Sequence, residues 1–168
     1  MRNKFILLII LFIGLGEIAK ASDTLILKTP EDLANAVLTS FKTNDFKLFN
    51  SLLIKEEDYA SLATNRGLFD TLYRQRGIDF IKNINSEAKK NFDDAVQKAK
   101  SNNINWDKAT VKEIKVYTKQ SGGIESGDII IYLISENINF MVSISSCHKK
   151  TTWIVMNKVF LNVYTINK

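Results

Sequence analysis

The chain has 168 residues, a formal net charge of +5 and 45% hydrophobic residues, which is the balance of an ordinary globular domain. One proline and seven glycines exclude collagen-like and proline-rich architectures, and a single cysteine excludes an internal disulfide framework and a cysteine-rich zinc module. The sequence also lacks a phosphate-binding glycine loop and a HExxH pattern. We therefore predict no cofactor and no metal site.

The first 21 residues have the pattern of a secretory signal peptide. Arg2 and Lys4 precede an apolar run of eleven residues, Phe5–Leu15, and small residues end the segment at Ala21. A membrane-spanning helix needs about 20 apolar residues, so this run is too short to be one. We predict cleavage after Ala21 and a secreted or periplasmic protein without a stable membrane anchor, whose single domain covers residues 22–168.

The charge balance of the predicted mature chain is weak. The segment that is removed carries three of the 23 basic residues and one of the 18 acidic residues, which leaves 20 against 17, a net charge of +3. A nucleic-acid partner would require a stronger basic excess, so we predict none. A small apolar ligand, an envelope or extracellular protein and a second copy of the chain all remain open as partners.

Residues 29–101 have helical patterns. Thr29 and Pro30 are typical of a helix start, because a threonine hydroxyl can cap the helix and proline fits its first position. Asp45 follows a break in the apolar pattern and predicts the start of a second short helix. A third helix is expected over residues 55–63.

The stretch 68–101 is apolar at helical spacing, but Gly77 and residues 83–86 predict an interruption, so we expect two helices there. Arg76 and Asp79 are candidates for a partly buried ion pair in this stretch. Such pairs usually orient helices rather than take part in catalysis.

Residues 109–163 have strand patterns separated by turn residues. Their connections are too short for crossover helices, which predicts an antiparallel meander. Residues 129–134 are apolar at every position, as expected for a central strand that is covered on both faces. Helices followed by a meander predict an α+β domain, with the N-terminal helices packed on one face of a C-terminal four-stranded antiparallel curved sheet. The expected strands are Thr110–Lys119, Asp128–Ser135, Ile138–Cys147 and Thr152–Val163.

The order of the segments is itself informative. Leu33–Leu53 reads as one helix and then a short aromatic-rich helix, and the strands Phe140–Cys147 and Thr152–Val155 follow late, the last with a tryptophan. This order resembles the nuclear transport factor 2-like superfamily, also called the cystatin-like cone fold. Asn103–Asp107 and Cys147–Lys149 are similar to segments of small exported proteins of unknown function from Bacteroidota-type bacteria. The resemblance implies a conical cavity between sheet and helices, and dimers that form through the sheets.

Five aromatic residues are candidates for the lining of such a cavity. Aromatic residues at helix and strand spacing belong more often to an ordinary hydrophobic core, which is the alternative interpretation. The five are Tyr59, Tyr73, Tyr117, Tyr132 and Trp153.

Enzymes that resemble this fold, such as ketosteroid isomerase, place an aspartate or histidine in an apolar cavity opposite a hydrogen-bond donor. Glu113, Asp128 and Glu136 lie next to predicted turns or at outward positions, and none matches the catalytic positions of those enzymes. We predict no catalytic residue, and keep Asp128 beside Asp79 and Arg76 as ionisable candidates.

Cys147 is a lone cysteine in a chain that is predicted to enter an oxidising compartment. It is interpreted either as a small apolar core residue or as a thiol that reacts or forms an intermolecular disulfide. His148 is its neighbour, but consecutive residues of a strand point to opposite faces, so the two do not form a Cys–His dyad.

We predict an exported, non-enzymatic domain that binds a small apolar ligand or a protein partner. Two alternatives stay open. One is an isomerase-like or dehydratase-like enzyme with the cone fold. The other is an exported inhibitor that presents its hairpins, above all Cys147–Thr151, to a partner enzyme.

Overall fold

The computed structural model describes residues 26–65, 71–121 and 124–164. These residues form helices followed by an antiparallel curved sheet, which confirms the predicted α+β class. The strands pair in the order β1-β2-β3-β4, so every neighbour in the sheet is also a neighbour in sequence. The predicted signal peptide lies outside the described residues. The elements are α1 (Pro30–Lys42), α2 (Phe46–Leu52), α3 (Glu56–Asn65), α4 (Thr71–Ser101), a 3₁₀ helix (Trp106–Lys108), β1 (Ala109–Ser121), β2 (Ile124–Ser135), β3 (Ile138–Lys149) and β4 (Thr152–Tyr164).

The first two helices start where the sequence predicts. The hydroxyl of Thr29 accepts a hydrogen bond from the backbone N–H of Asp32 at 3.1 Å, and the Asp32 carboxylate accepts one from the N–H of Thr29 at 3.0 Å. Asp45 caps α2 in a similar way, since its Oδ1 accepts from the N–H of Leu48 at 2.9 Å. These local bonds satisfy backbone groups that a helix start otherwise leaves without partners.

The helix α4 is continuous over 31 residues, so the predicted interruption at Gly77 and residues 83–86 is wrong. The ring of Tyr59 occupies the space that a side chain at position 77 would need, which explains a glycine inside a helix. The side-chain amide of Asn85 donates to the carbonyl oxygen of Ile54 at 3.2 Å. These contacts with the preceding segment offset the roughly 1 kcal/mol by which glycine disfavours a helix.

An aromatic stack fills the space between the helices and the middle of the sheet. The ring of Phe41 lies between Phe92, with centroids 5.2 Å apart, and Trp106, with centroids 5.7 Å apart. Trp106 in turn meets Phe140 of β3 edge to face at 5.4 Å. We call the surrounding cluster, built from α1, α2, the second half of α4 and alternate strand residues, the main core.

The strand β2 shows which side of the sheet the main core covers. Ile129, Ile131 and Leu133 are fully buried in the main core, and we call their side of the sheet the inner face. The residues between them are only half-buried and point to the opposite side, the outer face. The prediction that this strand is covered on both faces is therefore wrong. A run of apolar residues has no alternation that would reveal which side is left open.

A second, smaller core lies where β3 turns into β4. Val155 belongs to the main core on the inner face, so its neighbour Ile154 and the facing Cys147 point to the outer side. Ile81 and Ile84 of α4 cover them there. The helix α4 thus passes the edge of β4, so that its first half packs on the outer face and its second half on the inner face. None of the helices described is long and apolar enough to span a membrane.

Candidate functional site

The aromatic residues predicted to line a cavity do not come together. Tyr59 is half-buried beside the second core, and Trp153 is buried in the main core. Tyr132 and Tyr117 lie on the outer face, where Tyr117 is 56% exposed. The side chain of Tyr73 lies outside the described part of the structure. The four side chains that are described therefore occupy three separate places.

The ionisable candidates lie at the surface. Arg76 and Asp79 are exposed on α4, so the prediction of a partly buried pair is wrong. The carboxylate of Asp79 accepts a hydrogen bond from the side chain of Gln75 at 2.9 Å. Asp128 is exposed on the outer face and accepts a hydrogen bond from the hydroxyl of Ser145 at 2.8 Å. Asp128 and Ser145 border a groove of about 250 Å³ at the Phe80 end of α4.

Asp58 is a buried carboxylate that the sequence patterns do not single out. Its Oδ2 accepts a hydrogen bond from the backbone N–H of Lys55 at 2.9 Å, and its Oδ1 forms an ion pair with the ammonium group of Lys149. Both oxygens are thus engaged, and the charge is compensated. The pair connects α3 to the end of β3 across 91 residues of sequence, so both charged groups are used in a contact within the fold.

The neighbours Cys147 and His148 face opposite sides of β3, as predicted. Cys147 is fully buried in the second core, as its interpretation as a small apolar core residue requires. The imidazole ring of His148 stacks on Trp153 of β4, with centroids 5.3 Å apart. The two side chains therefore form no dyad.

Apolar and aromatic side chains cover the part of the outer face that α4 does not reach. In register across the strands, Tyr132 lies beside Met141, and Ser143 lies between Ile130 and Phe160. We call this surface the outer patch. Two of its aromatic side chains are more than half exposed, Tyr117 at 56% and Phe160 at 54%. The patch consists of Tyr117, Ile130, Tyr132, Ile134, Met141, Phe160 and Tyr164.

The charges on the outer patch largely balance each other. The ammonium group of Lys115 lies 3.3 Å from the carboxylate of Glu113 and 5.1 Å from the centre of the Tyr132 ring. The hydrogen bond to Glu113 and the charge of that carboxylate raise the pKa of Lys115. Lys115 therefore stays protonated and paired, and the patch is close to neutral.

A groove of about 320 Å³ runs between α4 and β4. The ammonium group of Lys90 pairs with Asp94 at 2.6 Å, and this hydrogen bond and charge raise the pKa of Lys90. Lys98 donates to the side-chain oxygen of Asn162 at 3.3 Å. The groove is lined by Lys90, Asn91, Asp94, Ala95 and Lys98 on the helix and by Val159, Phe160 and Leu161 on the strand.

Within residues 26–65, 71–121 and 124–164, no three histidine, cysteine or acidic side chains come together as a metal site would require. Comparison with known proteins finds no matching family, and neither a curated protein nor a solved structure of significant similarity. The resemblance to the cone-fold superfamily stays a prediction.

Proposed function

We propose that this chain is an exported, non-enzymatic domain that binds another protein through the outer patch. The observation that carries the proposal is the apolar run of β2. Its inward residues build the main core, yet Ile130, Tyr132 and Ile134 between them are also apolar, although they face outwards and remain half-buried. Apolar residues grouped on an open surface favour aggregation unless a partner covers them.

The composition of the outer patch suits a protein surface. Tyrosine, phenylalanine and methionine are enriched in the cores of protein interfaces, and the patch combines all three with isoleucine. Asp128 and Asn162 supply polar groups at its rim, while the charges of Glu113 and Lys115 offset each other. A partner with an apolar, nearly neutral surface fits this patch better than a nucleic acid or an anionic membrane.

A protein partner is favoured over a small apolar ligand. Such a ligand is normally enclosed by a preformed apolar cavity. In this chain, Phe41, Phe92 and Trp106 occupy the space between the sheet and the helices. The two grooves described above are open and carry charged side chains.

The alternatives have less support. Asp58 is the only acidic residue in the described part of the chain that is buried, and both its oxygens are engaged. Asp79 and Asp128 are exposed to solvent, whereas the enzymatic hypothesis requires a carboxylate that is held in an apolar pocket. In the hairpin proposed for an inhibitor, Lys150 and Thr151 are exposed and the preceding residues are tied to the fold.

Photo-crosslinking in the cells that produce the chain tests the proposal. A photo-reactive amino acid replaces Ser143 at the centre of the outer patch, and in a control chain it replaces Gln97, an exposed residue of α4. We expect position 143, and not position 97, to crosslink to one distinct protein. The purified partner should bind the wild-type chain and should not bind a folded Met141→Glu variant.

Equal crosslinking from positions 143 and 97 would overturn the proposal. Binding that is unchanged by Met141→Glu would also overturn it. Crosslinks that join only two copies of the chain would show that the patch serves self-association rather than a distinct partner.

A further inference from the structure

We propose that the groove between α4 and β4 is a second binding site, which takes an extended peptide segment of a partner protein as an additional strand along β4. This site is separate from the outer patch, although Phe160 borders both. The proposal rests on the unpaired edge of β4, on the helix that runs beside it and on the charges within the groove.

The two edges of the sheet differ in how they are protected. The edge strand β1 has a bulge between Val111 and Glu113, and Lys112, Lys115 and Lys119 add charge along it, whereas the irregularity of β4 is confined to residues 155–159 and residues 159–164 pair regularly with β3. Bulges and lysines are common features that keep an edge strand from pairing with another chain. The edge of β1 is thus poorly suited to receive a partner strand.

The first residues of β4 already form backbone hydrogen bonds at the free edge of the strand, on the side away from β3. The N–H of Trp153 donates to the carbonyl oxygen of Leu27 at 2.7 Å, and the carbonyl oxygen of Val155 accepts from the N–H of Ile54 at 2.8 Å. In the described part of the chain, no comparable bond reaches residues 159–163. The open stretch of this edge therefore coincides with the strand wall of the groove.

The register determines which backbone groups point into the groove. The carbonyl of Val155 points away from β3, so its partner Ser146 must direct its own backbone groups towards β2. Ile144, two residues before Ser146, has the same orientation, and its partner is Val159. The N–H and C=O of Val159 therefore point away from β3, and alternation extends this orientation to Leu161 and Val163.

The helix α4 provides the opposite wall. The short side chain of Ala95 leaves depth at the middle of this wall, between Asn91 and Lys98. The volume of about 320 Å³ is at the small end of the range of ligand pockets, so the groove suits a few residues of extended chain. A groove between a helix and an open strand edge gives a peptide main-chain hydrogen bonds for affinity and side-chain contacts for specificity.

The charges in the groove indicate what kind of peptide would fit. Lys90 is balanced by Asp94, but Lys98 contacts the neutral amide of Asn162. A carboxylate on the peptide would give Lys98 a charged acceptor and a stronger hydrogen bond. Phe160, 54% exposed at the rim, points to the same face of β4 as Asn162 and would contact an apolar side chain of the added strand. Since residues two positions apart in a strand share a face, the expected segment has an acidic residue that meets Lys98 and, two positions away, an apolar residue that meets Phe160.

The first experiment uses the purified full-length chain and a phage-displayed library of random ten-residue peptides. Selected peptides are synthesised, and their affinity is measured by fluorescence anisotropy. Each peptide is then made in two forms, N-methylated at either the odd or the even positions. We expect one form to lose at least about tenfold in affinity and the other to bind nearly as before, since a strand donates to its neighbour through alternate residues only.

Matched variants locate the peptide. Asn91→Trp fills the groove and should abolish binding, whereas Gln97→Trp, on an exposed part of the same helix, should not. Lys98→Glu should weaken the binding of acidic peptides, with Lys100→Glu as the charge-matched control outside the groove. Ile130→Glu in the outer patch lies on β2, which β3 separates from β4, and should leave peptide binding intact, so that the two proposed sites can fail independently.

Three results would overturn the proposal. They are selection of no peptide above background, equal affinity of the two methylated forms, and binding that survives Asn91→Trp.

Discussion

The two faces of the sheet carry similar residues in different surroundings. On β2, Ile129 and Ile131 point inwards and are fully buried, whereas Ile130 and Ile134 point outwards and are half-buried. Isoleucine thus occurs on both sides of the same strand. The difference lies in what faces it, because aromatic side chains of α1 and α4 cover the inner face and leave the middle of the outer face open. An apolar residue in this sheet therefore does not by itself show which face the helices cover.

The two faces should differ most in how much the free energy of unfolding falls when one large side chain is truncated on each. Phe92→Ala on the inner side should lower the free energy of unfolding by about 3–5 kcal/mol, because it leaves a cavity in the aromatic stack. Phe160→Ala on the outer side should change it by no more than about 0.5 kcal/mol. Urea unfolding measures both, and equal losses would contradict the distinction.

In the second core, α4 covers the outer face of the sheet, so this region should tolerate little additional side-chain volume. Gly77→Ala places a methyl group where the Tyr59 ring lies, and this overlap should cost about 1–3 kcal/mol. Alanine gains about 1 kcal/mol over glycine in a helix, so the expected net loss of unfolding free energy is up to about 2 kcal/mol. Thermal unfolding provides the measurement. The same substitution in a Tyr59→Ala background should be neutral or stabilising, and a loss that persists there would rule out the ring as its cause.

The ion pair between Asp58 and Lys149 is a polar contact between α3 and the end of β3, near the second core. Lys149→Met should destabilise the fold by about 1–3 kcal/mol, because it leaves the buried carboxylate without its charged partner. Adding Asp58→Leu should recover part of the loss, since an apolar pair can replace a buried ion pair. A double-mutant cycle in urea measures the coupling, and a coupling close to zero would show that the pair contributes nothing to stability.

The smallest effect on stability is expected at the exposed pair of Lys108 and Glu136, in which Lys108 Nζ lies 2.8 Å from Glu136 Oε1. The hydrogen bond from Lys108 and its charge hold the pKa of Glu136 below its usual range. A lowered pKa stabilises the fold above the unfolded pKa, and this contribution is lost as the pH falls through the folded pKa. An NMR titration should show the pKa of Glu136 rising in Lys108→Met and also in high salt. A pKa that stays unchanged in both would contradict this.

The sequence predicts the parts of the fold that depend on neighbouring residues. The capping pair of Thr29 and Asp32 and the cap at Asp45 form within three residues, and the strands are separated by recognisable turns. The glycine inside α4 is explained instead by Tyr59, a residue of α3 whose ring lies against position 77. A glycine whose purpose is to accommodate a distant ring has the same local pattern as a glycine that ends a helix.

The candidate sites were harder to predict for related reasons. The outer patch is hidden in an apolar run that reads as a fully covered strand, and a pairing across 91 residues separates Asp58 from Lys149. Predicting the groove from the sequence would require knowing that α4 passes the edge of β4. A predicted meander shows which strands have open edges, but only the helix position shows that residues 159–161 line a groove.

The pairing of Leu27 with Trp153 and of Ile54 with Val155 has a consequence for the timing of folding. The partner in both cases is β4, which follows all the other described elements in the chain and also contributes to both cores. Neither core can therefore be completed before β4 has been synthesised. Until then, Leu27 and Ile54 lack the strand to which they bond, and the helices lack part of the sheet that covers their apolar faces.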